Sequence, residues 1–302
     1  MELIEQFQTE KVLSNDAIYQ ALLGKIKGQN AVVLLRFKAQ NVLPTDMLLK
    51  LKFEVAPNLN SQGRDSKSAT FHVDRLLTEN NNYFTFQFQT SPLNSTLELI
   101  YPASQFHIEK YSAQNYYLVR ETPQMYKSIT LPAIEHLLKA KNPNAWIDDI
   151  IDGKKEQNSV VLRNDNKNFI VISDNSNTND PHLIIFPTKK SWSILRTFRD
   201  LCTEEHVAWI KEMAEVAKSL IPSVWLNLSY EQYACYFHYL PTYFYLHIHI
   251  RPVNSMFETF TILLDDVIQN LQNNPKHYSD VATVNFKLGS SHALFKLLVN
   301  QT

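Results

Sequence analysis

The sequence predicts an α+β protein made of two domains. The first, over residues 1–115, is mostly antiparallel β structure, and the second, over 116–302, has an antiparallel sheet flanked by helices. Short runs of β-branched and aromatic residues separated by polar turns dominate the first domain. In the second, such runs occur beside segments whose apolar residues recur every three or four positions, the period of an amphipathic helix. This mixture is typical of α+β domains.

The first domain is expected to contain five strands and one helix. The clearest strand is AVVLLRF at 31–37, an apolar run rich in β-branched residues. The remaining elements are predicted as strands at 48–55, 68–73, 82–89 and 97–101 and a helix near residues 15–27. Residues 104–114 are polar with helical spacing, and this segment is expected to connect the two domains.

The second domain is expected to begin with helices at 131–141 and 145–157. Further along, Thr203 followed by Glu204 and Glu205 is typical of a helix start, because a hydroxyl caps free N–H groups and acids complement the helix dipole. The other predicted elements are strands at 160–163, 169–173, 183–186, about 224–238 and 242–250, a helix at about 256–273, and a final strand and helix.

Composition excludes several functional classes. The formal net charge is −1, which argues against a protein that coats long nucleic acids by neutralising their phosphates, although a small anionic ligand fits. Only five glycines occur, and neither GxGxxG nor a Walker A loop is present. The nearest imitation, GKIKGQ at 24–29, has the wrong spacing and is interpreted as a surface turn.

The two cysteines, Cys202 and Cys235, are interpreted as reduced thiols and not as a disulfide framework. The N-terminus does not resemble a secretory signal, and no apolar run approaches the length of a membrane span. We therefore expect a cytoplasmic or nuclear protein without a membrane partner.

The most informative segment is HYLPTYFYLHIHIR, at 238–251. It is predicted to form a strand, in which side chains two positions apart share a face. Tyr245, His247 and His249 then face one way, and the aliphatic residues that alternate with them face a core. Two imidazoles are thereby placed side by side on one face.

Three interpretations of this pair remain open from the residues alone. The histidines could sit on a half-exposed strand without chemistry. They could ligate zinc, which requires a third ligand and is weakened by the absence of HExxH and CxxC motifs. One of them could attack phosphorus, since a neutral imidazole is nucleophilic near pH 7 and its neighbour can donate to phosphate oxygens.

The segment HYLPTYFYLHIHI resembles the signature of the scavenger mRNA decapping enzymes, a branch of the histidine-triad superfamily. Weaker similarity to that family extends back to about residue 78. Four further segments resemble it in the same order, namely LVRETPQMYKSITLP at 118–132, the stretch from Trp146 to KKE at 154–156, LRTFRDL at 195–201 and NPKHY at 274–278.

The resemblance implies a pyrophosphatase that uses neither a metal nor another cofactor. Its substrates would be 7-methylguanosine-capped dinucleotides and short capped oligonucleotides. Cleavage of the 5′–5′ triphosphate would pass through a nucleotidyl-histidine and release 7-methyl-GMP and a diphosphate. By the same resemblance His247 is the nucleophile, His249 the third triad residue and His238 a histidine on the phosphate side.

The resemblance also implies a ligand site. Trp146 would stack on the cationic 7-methylguanine, Glu156 would accept hydrogen bonds from the guanine N1–H and N2 amine, and Asp174 would be a second acidic contact. From the residues alone, Trp146 could equally be a core aromatic, and Glu156 a solvated charge. Thr242, Tyr243 and Tyr245 fall at phosphate-side and triad positions of the family.

In the resembling family the N-terminal domain exchanges segments between two subunits and closes over the active site. A homodimer is therefore expected, with residues 1–115 as a dimerisation and lid domain. Asn80, Asn81 and Tyr83 would reach the ligand from this domain, and Lys110 in the connection would meet phosphate. Without the resemblance these residues would be interpreted as turn residues and a solvated charge.

Two departures from the family pattern stand out. Tyr245 occupies the first triad position, where many relatives have histidine. After Asp174 the chain reads NSNT at 175–178, where the family has an apolar residue, a lysine and a tryptophan. These departures leave open a weakly active or non-catalytic paralogue that binds caps and regulates a relative.

Overall fold

The computed structural model describes residues 2–15, 20–36, 43–55, 70–80, 82–90, 93–141, 144–173, 182–224, 229–253 and 261–299. Internal contacts divide these residues into two compact units, one ending at Asn115 and the other beginning at Tyr116. Each unit has its own hydrophobic core. None of the helices described over these ranges combines the length and the apolar character that a membrane crossing requires.

The first unit is built on a seven-stranded sheet with the order β1-β2-β3-β7-β6-β5-β4. Its strands are β1 (Gln8–Asn15), β2 (Gln20–Ile26), β3 (Gln29–Arg36), β4 (Lys52–Val55), β5 (Thr70–Asn80), β6 (Tyr83–Thr90) and β7 (Leu93–Ile100). Neighbouring strands are antiparallel except for β4 and β5, which pair in parallel. The helices are α1 (Glu2–Glu5), α2 (Thr45–Leu48) and α3 (Gln105–Tyr111). The predicted, mostly antiparallel architecture is confirmed.

The helix expected near residues 15–27 is wrong, because β2 occupies that segment. Leu22 and Ile26 enter one core cluster, and Ala21 enters another on the opposite face of the sheet. A strand buried on both faces lacks the alternation that distinguishes it from a helix. At Gly24 a Cβ would lie 2.3 Å from the carbonyl oxygen of Gln8, so the glycine permits the close approach of β1.

The strand expected at 48–55 forms only over its second half. Thr45–Leu48 is the short helix α2, and β4 begins at Lys52. The helical and polar segment 104–114 is confirmed as α3. Ser104 caps this helix by a reciprocal arrangement with His107, whose Nδ1 accepts the Ser104 N–H at 3.0 Å.

The second unit contains a six-stranded antiparallel sheet with the order β14-β12-β13-β11-β10-β9, and a separate two-stranded ribbon of β8 and β15. The strands are β8 (Tyr116–Glu121), β9 (Val160–Asn164), β10 (Phe169–Ser173), β11 (Leu183–Pro187), β12 (Tyr233–His238), β13 (Ile248–Pro252), β14 (Thr261–Leu263) and β15 (Val284–Gly289). The helices are α4 (Pro123–Met125), α5 (Leu131–Lys141), α6 (Ala145–Ile151), α7 (Glu204–Val224), α8 (Leu264–Asn273) and α9 (Phe295–Leu298). This sheet flanked by helices confirms the predicted α+β class.

Four predicted elements of this unit are longer than the observed ones, among them the strand expected at about 224–238, which begins only at Tyr233. Helix α6 ends at Ile151 and not at 157, and the strand expected at 242–250 begins only at Ile248. The helix expected at 256–273 begins at Leu264, after strand β14, and its first predicted residues lie outside the described ranges. By contrast, the helix start at Thr203 is confirmed, because its Oγ1 accepts the His206 N–H at 3.2 Å.

The six-stranded sheet separates two apolar clusters. Ile248 and Ile250 of β13 belong to the large cluster that also contains Ile210 and Ala217 of helix α7. On the other face a smaller cluster contains aliphatic residues of α6, β10 and β11 together with Phe186 and Tyr245. Helix α6 therefore lies on the same face of the sheet as Tyr245.

A buried ion pair joins several distant segments. Arg199 and Glu121 are both fully buried, with Nε and Oε2 2.8 Å apart. The Arg199 guanidinium also donates to the carbonyl oxygens of Glu121 and Tyr278, each at 2.6 Å. The Glu121 carboxylate accepts hydrogen bonds from the hydroxyls of Thr130 and Tyr239. Because Tyr239 follows His238 directly, this network anchors the end of β12.

Candidate active site

The His247 imidazole is oriented by its own chain. Its Nδ1 lies 2.6 Å from the carbonyl oxygen of Tyr245. A carbonyl oxygen only accepts hydrogen bonds, so Nδ1 carries the hydrogen and Nε2 carries the lone pair in the neutral ring. The main chain thereby selects the tautomer in which Nε2 can act as a nucleophile or base.

The structure brings the three predicted catalytic histidines together. His238 at the end of β12 has its ring centroid 4.3 Å from that of His249 on β13, and the His247 and His249 centroids are 4.7 Å apart. Antiparallel pairing of β12 with β13 places Tyr236 opposite His249 and explains this proximity. The alternation expected around His247 is also observed, since Leu246, Ile248 and Ile250 all point into the large core cluster.

The histidines are neutral at pH 7. The pKa of both His238 and His247 is lowered to about 4, mainly by burial and to a smaller extent by neighbouring imidazoles, whereas the bond to Tyr245 opposes this shift for His247. Burial, followed by the proximity of the other histidines, lowers the pKa of His249 well below its ordinary value. The His247 imidazole therefore keeps its lone pair over the physiological range.

Tyr245 contributes its main chain, and not its hydroxyl, to His247. Its side chain is buried, and the hydroxyl donates to the carbonyl oxygen of Pro187 at 3.3 Å. Burial, with a smaller contribution from Asp148, raises the pKa of this hydroxyl to about 12. The side chain therefore stays neutral and bonded to the neighbouring strand.

Phe186 on β11 contacts both the Trp146 ring and the His247 ring. Its ring centroid lies 5.5 Å from that of His247 and 6.3 Å from that of Trp146. Trp146 also meets Tyr243 edge to face at 5.0 Å. The Trp146 Nε1 is buried and has no hydrogen-bond partner among the described residues. Trp146, Tyr243 and His247 therefore form one aromatic cluster.

Asn144, immediately before helix α6, connects that helix to the segment 242–247, which we call the catalytic turn. Its buried Nδ2 donates to the carbonyl oxygen of Phe244 at 3.0 Å. A second anchor is the Leu246 N–H, which donates to the carbonyl oxygen of Leu195 at 2.9 Å. Sequence reasoning missed Asn144, because an asparagine before a helix is usually interpreted as a cap.

Glu156 and Thr242 lie outside the helices and strands of this unit. Glu156 is half-buried and adopts a left-handed conformation, with φ 50° and ψ 32°, just before a short 3₁₀ turn. Non-glycine residues in this region store backbone strain of about 1–2 kcal/mol, which is found most often at functional sites. Thr242 is exposed within the catalytic turn.

The residues predicted from the first unit lie on its strand tips and on α3. Asn80 ends β5 and pairs with Tyr83 of β6, and the Tyr83 ring contacts that of His107 at 5.6 Å. Burial lowers the pKa of Lys110, an effect that Glu98 opposes and Arg36 reinforces. Asn81, Asp174 and the residues at 175–178 lie outside the described ranges.

His182 belongs to the group of histidines formed by His238, His247 and His249, and sequence reasoning missed it. Its Nε2 lies 2.7 Å from Nδ1 of His249. The available signal was alternation, because His182 precedes β11 at the same phase as Ile184 and Phe186, which enter the smaller cluster.

Over the described ranges, no three His, Cys, Asp or Glu side chains are arranged to hold a metal ion.

Comparison with known proteins decides the family. Residues 2–114 match the family described as scavenger mRNA decapping enzyme (DcpS) N-terminal, and residues 145–261 match scavenger mRNA decapping enzyme C-term binding. The chain belongs to the scavenger mRNA decapping enzyme family.

Similar proteins carry the name m7GpppX diphosphatase. The protein from Schizosaccharomyces pombe is 31% identical, over 99% of this chain and 96% of its own length. The human protein is 28% identical, over 97% of this chain and 85% of its own length. The Caenorhabditis elegans protein is 28% identical over 67% of this chain and 66% of its own. The similarity to scavenger decapping enzymes, which the short motifs indicated, thus extends along the chain.

The depressed pKa values predict a pH-dependent stability. An unfolded histidine has a pKa near 6.5, so between pH 6.5 and pH 4 the unfolded chain binds more protons than the folded one. The unfolding free energy is therefore complete above pH 6.5 and falls towards pH 4. His238→Asn should reduce this slope by at most about 1.4 kcal/mol per pH unit, as measured by urea unfolding at several pH values.

The exposed His136→Asn variant is the matched control for removing one histidine. An unchanged slope in His238→Asn would show that His238 titrates alike in the folded and unfolded chain, contrary to its burial.

Proposed function

We propose that this protein hydrolyses the 5′–5′ triphosphate of 7-methylguanosine-capped dinucleotides and short capped oligonucleotides. The products would be 7-methyl-GMP and a nucleoside or oligonucleotide diphosphate. The observation that carries the proposal is the fixed tautomer of His247, whose Nε2 lone pair is set by the bond from Nδ1 to the Tyr245 carbonyl. The name m7GpppX diphosphatase of the similar proteins supports the substrate class.

The chemistry follows from this tautomer. The His247 Nε2 attacks the phosphorus nearest 7-methylguanosine, and the bond from that phosphorus to the bridging oxygen breaks, so that the diphosphate leaves with the electron pair. The imidazole then carries a positive charge, which the Tyr245 carbonyl stabilises through the Nδ1–H. Water hydrolyses the resulting P–N bond and releases 7-methyl-GMP. His249 contacts the His247 ring, and His238 contacts His249, so both would be able to donate to the phosphate oxygens.

Cap recognition is assigned in this proposal to Trp146 and Glu156. A cationic 7-methylguanine stacks favourably on an indole, and Trp146 lies in the aromatic cluster that includes His247 through Phe186. Glu156 is half-buried in a left-handed turn after α6, and its carboxylate suits the two parallel donors of guanine. Tyr243 and Thr242 of the catalytic turn would contact the phosphates. Asp174 would contact the base.

The first unit is proposed to act as a lid and dimerisation domain in a homodimer, with Asn80, Tyr83 and Lys110 approaching the ligand. This rests on the match of residues 2–114 to the N-terminal family model. Light scattering should then give twice the chain mass of 35.1 kDa, and a monomer mass would contradict the homodimer.

A cytoplasmic or nuclear location is proposed from the sequence, and fluorescence imaging of the tagged protein checks this location.

The decisive experiment removes the nucleophile. With a 7-methylguanosine-capped dinucleotide in EDTA, the wild-type protein should release 7-methyl-GMP, and His247→Ala should lower kcat by about 10⁴-fold or more, because no other group replaces the lone pair. Product release is measured by chromatography. Acid-labile labelled nucleotide should also attach to the wild-type chain and not to His247→Ala.

His136→Ala, an exposed histidine of α5, is the control and should turn over normally. Tight cap binding by the wild type without turnover would instead identify a non-catalytic cap-binding paralogue. Activity abolished by EDTA would point to a metal.

Trp146→Leu tests the base site. Loss of stacking should weaken binding of 7-methyl-GMP by about 10- to 100-fold and remove most of the preference over GMP, because stacking on an aromatic ring contributes about 1–3 kcal/mol per base. Calorimetric titration with both nucleotides measures this change. The control is Trp209→Phe, in the large core cluster, which should bind as the wild type does. Equal preference for the methylated base in Trp146→Leu and wild type would remove Trp146 from the site.

Tyr245→Phe tests the unusual first triad position. Only the bond to Pro187 is lost, so kcat/KM should stay within about threefold of wild type while the unfolding free energy falls by about 0.5–1.5 kcal/mol. Steady-state kinetics and urea unfolding measure the two effects. Tyr245→His keeps the same main-chain carbonyl and should also stay within threefold. A hundredfold loss in Tyr245→Phe would mean that the hydroxyl itself takes part in the reaction.

A further inference from the structure

His182 and His249 meet through their ring edges. Their Nε2 and Nδ1 atoms are 2.7 Å apart, while the ring centroids are 5.0 Å apart and the planes differ by only 19°. Two nearly parallel rings with such a short nitrogen–nitrogen separation and such a long centroid separation lie side by side and not face to face. This is the geometry of a well-aligned N–H···N hydrogen bond.

The direction of this bond determines which nitrogen of His249 carries its hydrogen. His249 is 7% exposed, and burial keeps it neutral by lowering its pKa well below the ordinary value. A neutral imidazole has one N–H and one lone pair. Nδ1 is bonded to His182, and Nε2 is buried without a hydrogen-bond partner among the described residues. If His182 donates to Nδ1, the His249 hydrogen lies on Nε2, and if His182 accepts from Nδ1, the lone pair lies on Nε2.

We propose that His182 is a positioning residue that donates its Nε2–H to Nδ1 of His249 and so holds the His249 hydrogen on Nε2. There it would donate to a phosphate oxygen of the substrate. The inference rests on the proposed function for the identity of that substrate. It adds to the three predicted histidines a fourth, which acts through His249 and not on the substrate.

The chemistry of the bound phosphate favours this direction of donation. Phosphate oxygens accept hydrogen bonds, so a lone pair on the His249 Nε2 would face an anion without an attractive contact. His247 already supplies the lone pair that the attack requires, through the bond from its Nδ1 to Tyr245. A donor beside a lone pair is the complementary arrangement for attack on a phosphoanhydride. The His249 ring lies within 4.7 Å of the His247 centroid, and it is therefore close enough to serve the same phosphate.

The neighbours of His249 leave the choice of tautomer to His182. On its other sides His249 contacts the rings of His238, at 4.3 Å, and Tyr236, which lies nearly parallel at 5.3 Å. These are ring contacts, and the bond to Nδ1 comes from His182. The position of His182 is in turn fixed by β11, which pairs with β13 so that Ile184 lies opposite His249.

Two variants of His182 separate positioning from packing. His182→Phe keeps an aromatic ring but removes the donor, and kcat for the capped dinucleotide should fall by about 10- to 100-fold with KM changed by less than about threefold, the usual effect of releasing an oriented histidine. His182→Gln offers an amide N–H in place of the imidazole donor and should recover most of the rate. His136→Phe, at an exposed position, is the control for placing phenylalanine at a histidine.

The tautomer is measured directly and without substrate. Long-range ¹H–¹⁵N spectra of histidine-labelled protein, assigned with His249→Asn, should show His249 as Nε2–H in the wild type and in His182→Gln, and no longer fixed in that form in His182→Phe. An Nδ1–H tautomer in the wild type overturns the proposal, as does an unchanged kcat in a folded His182→Phe. If the wild type shows the Nε2–H tautomer but does not cleave capped dinucleotides, the proposed function fails and the positioning role of His182 stands.

Discussion

The chemistry of this protein depends on one short hydrogen bond from a side chain to its own main chain. The bond from the His247 Nδ1 to the Tyr245 carbonyl spans two residues, and it fixes both the ring orientation and the tautomer. Because the acceptor belongs to the peptide backbone, it survives any side chain at position 245 that keeps the chain in place. A tyrosine side chain at position 245 is therefore compatible with an oriented His247.

Hydrogen bonds from other segments of the second unit fix the position of that backbone. The catalytic turn is bonded through Phe244 to Asn144 and through Leu246 to Leu195. The end of β12 is held through Tyr239 by the buried pair of Glu121 and Arg199. Four of the five segments that resemble the family contribute to these anchors. HYLPTYFYLHIHI supplies Tyr239, Phe244 and Leu246, LRTFRDL supplies Leu195 and Arg199, LVRETPQMYKSITLP supplies Glu121, and NPKHY supplies the carbonyl of Tyr278. Their similarity thus has a physical reason in a network that is costly to break in part.

Local patterns in the sequence predicted much of the fold and the centre of the site. The alternation from Tyr245 to Ile250 predicted the two faces of that segment, and the hydroxyl and acids at Thr203 predicted the start of α7. Strand β2 escaped prediction because it is buried on both faces and shows no period. His182 escaped because its role arises from the pairing of β11 with β13, which no short window contains. The left-handed turn at Glu156 and the bond made by Asn144 are likewise tertiary features.

The Asn144 bond has an evolutionary consequence. Asn144 immediately precedes the helix that bears Trp146, and its side chain holds the backbone just before Tyr245, so one residue joins the two segments. A substitution that tilts this helix is therefore expected to displace the Tyr245 carbonyl that aligns His247 as well. If Trp146 binds the base as proposed, changes in base preference are therefore expected to be coupled to changes in reaction rate.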